Sequence, residues 1–365
     1  MDFAFSEEQN MLRDQARSFL ADRVGPDRVA DLAAADQGWD PEIYRQMAEL
    51  GWIGLAAPEE AGGAGMSFID EAVLFEELGR ALFPGPFFST VALATPLLER
   101  SGVSLDAVVA GQRSATLAWA EPSGPAHLAD AASVTTKAEA SNGSWTLSGE
   151  KYLIPDGGIV DDVLVVAAAS DGIGVWSVSR SEAAATEHST MDRTRRLGSL
   201  RLSATRGEPV VVAGEAEPLL RAVRLRALAA VALEAVGIGQ RALELSIDYV
   251  KERKQFGKPI GAYQAVSHQV ADIYAEVELA RSLSYWAAWC VAEDDEQAGS
   301  AVSAAKSSAG AAAVAACERA IQVHGGIGFT WEHPLHLFYK RAQWINTFEG
   351  PGTVHRAELA ERLLG

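Results

Sequence analysis

A short turn in the last third of the chain combines a basic residue with an aromatic one. It runs from Arg253 through Phe256 to Ile260, and Gly257 and Pro259 end the helical sequence before it. A guanidinium and an exposed ring suit a diphosphate and a planar base. A basic residue here could equally complement the C-terminus of the helix, where cations are favoured. The residues alone leave both interpretations open.

A glycine-rich segment, from Gln322 to Phe329, follows another long helical stretch. One glycine would cap the helix, whereas three glycines in four residues indicate that something approaches the backbone closely. The segment is not a dinucleotide-binding fingerprint, because no strand precedes it and the glycine spacing differs. His324 is interpreted as a packed or hydrogen-bonding histidine, since no set of metal ligands accompanies it, and no metal site is expected.

A carboxylate near the end of the chain stands between an aromatic ring and a flexible glycine, as Phe348-Glu349-Gly350. Glu349 could simply favour the N-terminus of the last helix. Alternatively, a carboxylate held against apolar groups has a raised proton affinity and can act as a base near neutral pH. Glu349 is therefore a candidate catalytic residue.

The predicted secondary structure that must position these groups changes twice along the chain, from helices to strands and back to helices. Residues 6–98 have helical patterns, interrupted by a glycine-rich loop over residues 58–67. Short apolar runs between turn residues then predict a small β-barrel that ends near Val212. The predicted strands contain Ala115–Trp119, Trp145–Leu147, Val163–Val166 and Ile173–Val178.

Helical patterns return after the barrel. The predicted helices are Phe68–Leu82 in the first segment and Leu219–Arg253, Tyr263–Glu293, Val302–Val323 and a short helix from about Thr353 in the last. We therefore predict an α+β multidomain fold. It consists of an N-terminal helical domain (residues 1–111), a middle β-barrel domain (residues 112–214) and a C-terminal four-helix bundle (residues 215–365).

Composition narrows the class of protein. The 365 residues carry a net charge of −18, which argues against a nucleic-acid partner. Cys290 and Cys317 are the only cysteines, so neither a disulfide framework nor a cysteine metal site is expected. The first residues lack the regions of a signal peptide, and no apolar run is long enough to span a membrane. The sequence predicts a cytoplasmic protein.

In this order, the segments resemble the acyl-CoA dehydrogenase family over essentially the whole chain. A collinear set of motifs is far more specific than any one of them. The motifs are Phe5-Ser6-Glu7-Glu8-Gln9, Gly51-Trp52-Ile53-Gly54-Leu55, the run from Pro58 to Gly63, Glu121-Pro122, the run from Leu147 to Lys151, the Arg253 turn, the Gln322 segment and Phe348-Glu349-Gly350. The last motif falls where the family usually carries Tyr-Glu-Gly with its catalytic glutamate.

The resemblance implies an FAD enzyme that desaturates acyl-CoA thioesters and passes electrons to an electron-transfer flavoprotein. It implies that Glu349 removes the α-proton of the thioester while the β-hydride passes to the flavin. The family's other location for the base reads Arg226-Ala227-Leu228 here and has no carboxylate. The groups that would contact FAD held chiefly by a neighbouring subunit are Arg253, Gln255, Phe256, Gln264, Gln322, Val323, His324, Gly325 and Gly326.

The middle domain departs from the family pattern where it would read the flavin ring. The usual Thr-Glu-Pro is Ala120-Glu121-Pro122, the following Gly-Ser-Asp loop is missing, and the usual Ile-Thr-Asn is Ile154-Pro155-Asp156. Proline removes a hydroxyl and a backbone N–H together. An arginine common on the first C-terminal helix is replaced by Leu228. The chain thus keeps groups offered to a neighbour's FAD but lacks several that would hold its own.

This pattern implies a heteromeric enzyme, an α2β2 assembly with a homologous acyl-CoA dehydrogenase subunit, similar to the paired subunits that actinobacteria use on sterol side chains. Three alternatives stay open. The chain could be a non-catalytic structural subunit in which Glu349 is a remnant, or a self-sufficient homotetramer. It could also be an acyl-CoA oxidase, although oxidases of this kind are usually much longer.

Overall fold

The computed structural model describes residues 5–124, 126–141 and 143–365. The α-helices in these ranges are α1 (Glu7–Arg23), α2 (Pro26–Ala34), α3 (Pro41–Glu49), α4 (Phe68–Ala81), α5 (Thr95–Ser101), α6 (Asp106–Val109), α7 (Ala216–Glu252), α8 (Gln264–Ala292), α9 (Ala298–His324), α10 (Leu335–Thr347) and α11 (Gly352–Leu364), and a π-helix covers Phe88–Ala94. The strands are β1 (Ala115–Ala118), β2 (Lys137–Ser141), β3 (Ser144–Pro155), β4 (Asp162–Ala169), β5 (Gly172–Ser179), β6 (Ala184–Glu187), β7 (Leu197–Val211), β8 (Lys254–Gln255) and β9 (Lys258–Pro259).

Local sequence explains where the first helices begin. The Ser6 hydroxyl accepts a hydrogen bond from the Gln9 backbone N–H, and the Gln9 side chain accepts one from the Ser6 N–H. This reciprocal capping box satisfies two N–H groups that the helix itself leaves without partners. Helix α3 begins at Pro41, directly after Asp40, whose carboxylate caps the Glu42 N–H. The helical pattern predicted from residue 6 onward therefore begins with a capped helix.

The barrel belongs to a compact unit formed by Ala33–Ser67 and Pro84–Ala227. Hydrogen bonding runs through β4, β2, β3, β7 and β5, and the pairing of β5 with β4 closes the ring. Strand β1 pairs with β4 in parallel, and β6 pairs with β7. Inward-facing residues, among them Leu147, Trp176 and Leu200, fill the interior as apolar core.

The other compact unit contains α1, α4, most of α7 and all of α8 to α11. Two glycines set the distance between α4 and α7. A Cβ atom at Gly79 would lie 2.2 Å from the carbonyl oxygen of Glu234, and one at Gly237 would lie 2.0 Å from that of Glu76. Only residues without a Cβ atom allow the two backbones to approach this closely.

The order of helices, barrel and helices confirms the predicted fold class. The four predicted strand segments lie in β1, β3, β4 and β5, and β7 ends at Val211, one residue before the predicted end of the barrel. The predicted helices correspond to α4, α7, α8, α9 and α11. The three domain ranges given above stay a prediction.

Several helices fall outside that agreement. Helices α2, α3, α5, α6 and α10 were not predicted as separate elements, and α10 matters most because it leads directly to Glu349. The first four residues, which entered the signal-peptide argument, lie outside the described residues. Within the described parts of the chain, no helix is both long enough and apolar enough to cross a membrane.

Candidate functional site

The turn after α7 is a β-hairpin with a two-residue loop. Strands β8 and β9 pair antiparallel and leave Phe256 and Gly257 between them. Their φ angles are 51° and 83°. Positive φ at both central residues characterises the tight turns that match the twist of two strands. The hairpin carries the Phe256 ring at its tip, where the residue is 93% exposed.

Tyr263 supports this hairpin from the side. Its hydroxyl donates a hydrogen bond to the Gln255 carbonyl oxygen at 3.1 Å, and its ring meets the Phe256 ring edge-on at a centroid distance of 6.5 Å. Arg253 is exposed at the end of α7, and Gln264 is exposed at the start of α8. The structure therefore brings four predicted FAD-contacting residues together on one exposed hairpin and its flanks.

The three glycines after α9 have three different environments. Gly325 has φ +63°, a conformation that residues with a Cβ atom rarely adopt. A Cβ atom at Gly328 would lie 2.7 Å from the Ile321 carbonyl oxygen, so this glycine is required by packing within the chain. A Cβ atom at Gly326 would meet nothing within 4 Å among the described residues. Gly326 thus leaves an open backbone surface beside Gly325, which is also exposed.

His324 is a packed histidine, as the sequence interpretation favoured. The residue is 4% exposed, and its ring stacks on Tyr249 at a centroid distance of 4.4 Å. Its Nδ1 donates to the Ala320 carbonyl oxygen at 2.7 Å, since a carbonyl oxygen can only accept. Burial lowers the pKa of His324 and favours the neutral ring. Val323 is also buried, whereas Gln322 is exposed.

The stack of His324 on Tyr249 joins the last turn of α9 to the last turn of α7. The hairpin and the glycine-rich segment, which lie far apart in sequence, therefore occupy the same end of the helical unit. An exposed apolar group continues from the glycines: Ile327 is 44% exposed, Phe329 79% and Trp331 81%. The sequence analysis did not identify this surface, although aromatic residues directly after a glycine cluster were a usable signal.

Glu349 lies in a buried turn between α10 and α11. The residue is 5% exposed and has φ +55°. A residue with a Cβ atom pays about 1–2 kcal/mol for this left-handed conformation. Gly350 follows with φ +102°, and its N–H donates to the Thr347 carbonyl oxygen. The N-cap of α11 is Pro351, so Glu349 lies outside the first turn, and a helix-terminus role does not explain it.

The structure does not place Glu349 beside the β8–β9 hairpin and the glycine-rich segment. A Cβ atom at Gly310 would lie 2.9 Å from Oδ1 of Asn346, three residues before Glu349, which locates this turn along α9. Gly310 and His324 are fourteen residues apart on α9, or about 21 Å at 1.5 Å per residue. The helical unit therefore carries two separate candidate half-sites: an exposed one at the α7 and α9 ends, and a buried carboxylate.

In the barrel unit, the segment from Ile154 to Asp156 is turned into the protein. Ile154 and Asp156 are each 1% exposed. The Asp156 carboxylate accepts from the Ser89 hydroxyl at 2.7 Å, and its backbone N–H donates to the Arg196 carbonyl oxygen. The Thr116 hydroxyl donates to the Pro155 carbonyl oxygen at 2.7 Å. These polar groups are engaged by hydrogen bonds inside the unit.

A second buried carboxylate in the barrel motifs, Glu121, is a structural group. Its two oxygens accept from the backbone N–H and hydroxyl of both Thr135 and Thr136, at 2.6–2.9 Å. The Lys151 ammonium donates to it at 2.8 Å. Burial alone would raise the pKa of Glu121, but hydrogen bonds from Lys151 and the threonines outweigh it and lower that pKa to about 2. Glu121 is therefore a poor proton acceptor at neutral pH.

Comparison with known proteins agrees with this architecture. The description "Acyl-CoA dehydrogenase, N-terminal domain" matches residues 6–103, and "Acyl-CoA dehydrogenase, C-terminal domain" matches residues 226–364. The acyl-CoA dehydrogenase IpdE2 of Mycobacterium tuberculosis is 36% identical over 339 residues, which are 92% of this chain and 91% of that protein. The chain belongs to the acyl-CoA dehydrogenase family.

Two solved structures extend the likeness over nearly every residue. A variant of the Tcur3481-Tcur3483 steroid ACAD is 31% identical, with a TM-score of 0.86 and 98% of each chain covered. The ChsE4-ChsE5 complex from Mycobacterium tuberculosis is 26% identical, with a TM-score of 0.88, covering 100% of this chain and 99% of that chain. The resemblance inferred from the motifs is thereby confirmed, including its likeness to steroid-type members.

Proposed function

We propose that this chain is one subunit of a heteromeric acyl-CoA dehydrogenase, in which it completes an FAD site together with a homologous subunit. The proposed substrate is an acyl-CoA thioester with a sterol-derived or other acyl group, and the 31% identity to a steroid ACAD favours the sterol-derived class. The observation that carries the proposal is the inward-turned Ile154-Pro155-Asp156 segment of the barrel. Its side chains are buried and its carbonyl and carboxylate oxygens accept hydrogen bonds from within the unit.

The groups of the helical unit fit an FAD bound chiefly by a neighbour. Arg253 offers five N–H donors to a diphosphate, Phe256 offers an uncovered ring to a planar base, and Gly326 leaves room for close approach to the backbone. The barrel does not fit a flavin of its own equally well, since Pro155 has neither hydroxyl nor N–H. When bound, FAD would accept the hydride from the β-carbon of the thioester.

Glu349 is the proposed base. Its carboxylate would take the α-proton of the thioester, and its burial keeps water away from the proton that it accepts. Strained backbone persists where the surrounding structure holds it, and such positions cluster at functional sites. The left-handed φ of Glu349, in a turn flanked by two helices, supports a functional role over that of a remnant.

The partners follow from the same reasoning. A structure of the ChsE4-ChsE5 complex among the relatives favours a homologous second subunit, in an α2β2 assembly, over a self-tetramer. The exposed surface of Ile327, Phe329 and Trp331 beside the glycines suits such an interface, because large apolar patches mark association sites. An electron-transfer flavoprotein is the proposed electron acceptor.

The deciding experiment measures FAD per chain in two preparations, this chain expressed alone and the chain co-expressed with its homologous partner. We expect colourless protein alone and one FAD per pair of unlike chains in the complex. Phe256→Ala should lower the FAD content of the complex without changing the thermal stability of this chain alone, because the ring is 93% exposed. Yellow homotetramers with one FAD per chain would refute the heteromeric proposal.

A second measurement tests the base. In the assembled complex Glu349→Gln should reduce turnover at least about a hundredfold, within the usual contribution of a general base. Glu361→Gln is the matched control, since it removes an exposed carboxylate from α11 and should leave turnover unchanged. Full activity of Glu349→Gln would assign this chain the role of a structural subunit instead.

A further inference from the structure

A buried lysine lies beneath the turn that carries Glu349. Lys306, on α9, is 0% exposed. Its ammonium donates to the Asn346 carbonyl oxygen at 3.3 Å and to the Gly350 carbonyl oxygen at 3.5 Å. An ammonium group is almost never buried completely unless polar partners surround it. These contacts therefore fix where the Lys306 side chain can point.

The two carbonyl groups bracket Glu349. Asn346 lies in the last turn of α10, where carbonyl groups have no partner within the helix and a cation is favoured by the helix dipole. Gly350 is the residue directly after Glu349. One ammonium thus contacts the chain on both sides of Glu349, in a turn where Glu349 and Gly350 have φ angles of +55° and +102°.

The helix that supplies Lys306 is packed tightly against the same turn. A Cβ atom at Gly310, one turn further along α9, would lie 2.9 Å from Oδ1 of Asn346. A Cβ atom at Gly352, where α11 begins, would lie 3.6 Å from the Ser307 carbonyl oxygen. The backbone of α9 therefore packs directly against the turn, closely at Gly310 and at ordinary van der Waals distance beside Gly352.

We propose that Lys306 is a positioning residue for the base: it holds the Asn346–Gly350 turn so that the Glu349 carboxylate faces the α-carbon of the bound thioester. It acts through the backbone on either side of Glu349 and touches neither substrate nor cofactor. The inference rests on the proposed function, because it needs Glu349 to be the base. A displacement of about 1 Å at a reacting group can lower a rate a hundredfold.

The test uses the assembled complex with its FAD and an acyl-CoA substrate. Lys306→Met removes the ammonium and keeps an unbranched side chain of similar length. We expect kcat to fall about ten- to a hundredfold, with KM and FAD content within about twofold of the wild-type values, since substrate and cofactor binding do not involve this lysine. Ser307→Ala, on the neighbouring position of α9, is the matched control and should leave kcat unchanged.

If Lys306 had a purely structural role, its replacement would lower FAD content, assembly and kcat together and would raise KM. If Lys306→Met does not assemble, Lys306→Arg takes its place. It keeps the charge but moves the donors, and kcat should still fall about tenfold at unchanged FAD content. A kcat within about twofold of wild type in the variant that assembles overturns the inference. Glu349→Gln distinguishes failure of the positioning role from failure of the proposed base. If Glu349→Gln is inactive while Lys306→Met is fully active, only the positioning role of Lys306 is wrong.

Discussion

The buried pair of Glu121 and Lys151 gives a stability prediction that also bears on which carboxylate is available for catalysis. The two side chains are 2% and 0% exposed, and they meet at 2.8 Å. The Lys151 ammonium also donates to the Trp119 carbonyl oxygen at 3.2 Å. Replacing Lys151 with methionine removes the cation and leaves a buried carboxylate with donors from Thr135 and Thr136 only.

Breaking a buried ion pair by removing one partner costs about 3–5 kcal/mol, because the remaining charge is uncompensated. At roughly 2 °C per kcal/mol for a large domain, Lys151→Met should lower Tm by about 6–10 °C. The double variant with Glu121→Gln should be more stable than Lys151→Met alone. It removes the stranded charge, and the glutamine oxygen still accepts from the threonines.

The pH dependence has a defined sign. The pKa of Glu121 falls from an ordinary value of 4.5 to about 2 in the folded protein. The unfolded chain binds more protons between these values, so this stabilisation is present above about pH 4.5 and is lost as the pH falls towards 2. Glu121→Gln should flatten the loss of stability with acid in that window.

The assay is thermal unfolding followed by circular dichroism at pH 7. Arg113→Met is the control, because its pair with Asp162 is more exposed, at 47% and 21%, and such pairs contribute about 1 kcal/mol or less. If the Tm of Lys151→Met stays within about 2 °C of wild type, the Glu121–Lys151 pair does not stabilise the barrel unit as proposed, and the assignment of Glu121 as a structural group fails.

Two further predictions concern the helical unit. Gly237→Ala should lower the free energy of unfolding, measured by chemical denaturation, by at least about 1–3 kcal/mol, because the new methyl would lie 2.0 Å from the Glu76 carbonyl oxygen. Gly326→Ala is the control: its methyl would meet nothing within 4 Å, so the free energy of unfolding should change little. Burial, and then His324, lower the pKa of His333 from 6.5 to about 4. The unfolded chain therefore binds more protons in this range, and stability should fall as the pH drops from 6.5 to 4. His333→Phe should weaken that pH dependence, and an unchanged pH profile would contradict the burial of this ring.

Much of the fold could be predicted because periodicity and turn residues report it directly. The barrel strands alternate or run apolar between Gly, Asp and Asn, and the long helices have start and stop signals. Helix α10 was missed although its buried residues Leu335, Phe338, Ala342 and Ile345 follow helical spacing. Buried Arg341 interrupts the apolar stripe, because its place in the interior depends on tertiary contacts.

Those features of the candidate site that depend on local sequence could be predicted, whereas those that depend on tertiary contacts could not. The exposure of Arg253 and Phe256 follows from a local turn, which sequence can indicate. His324 was interpreted as a packed residue because no metal-ligand partners accompany it, and its packing comes from Tyr249 and the Ala320 carbonyl group. Lys306 gave no signal, because a single lysine in an alanine-rich helix is ordinarily placed in solvent. Its burial depends on α10 and the turn after it, which come together with α9 only in the folded chain.

Two buried carboxylates in family motifs show why function needs the three-dimensional environment. Glu121 and Glu349 are both almost fully buried, at 6% and 5% exposure, so burial alone does not separate a proposed base from a structural group. Glu121 accepts five hydrogen bonds at short distances, which stabilise its charged form and oppose protonation. Glu349 lies in a left-handed turn in which the Asn346 and Gly350 carbonyl oxygens accept from the Lys306 ammonium. The five donors at Glu121 hold a buried carboxylate in its ionised form, so the donors around a buried carboxylate, and not its burial, decide whether it can take up a proton.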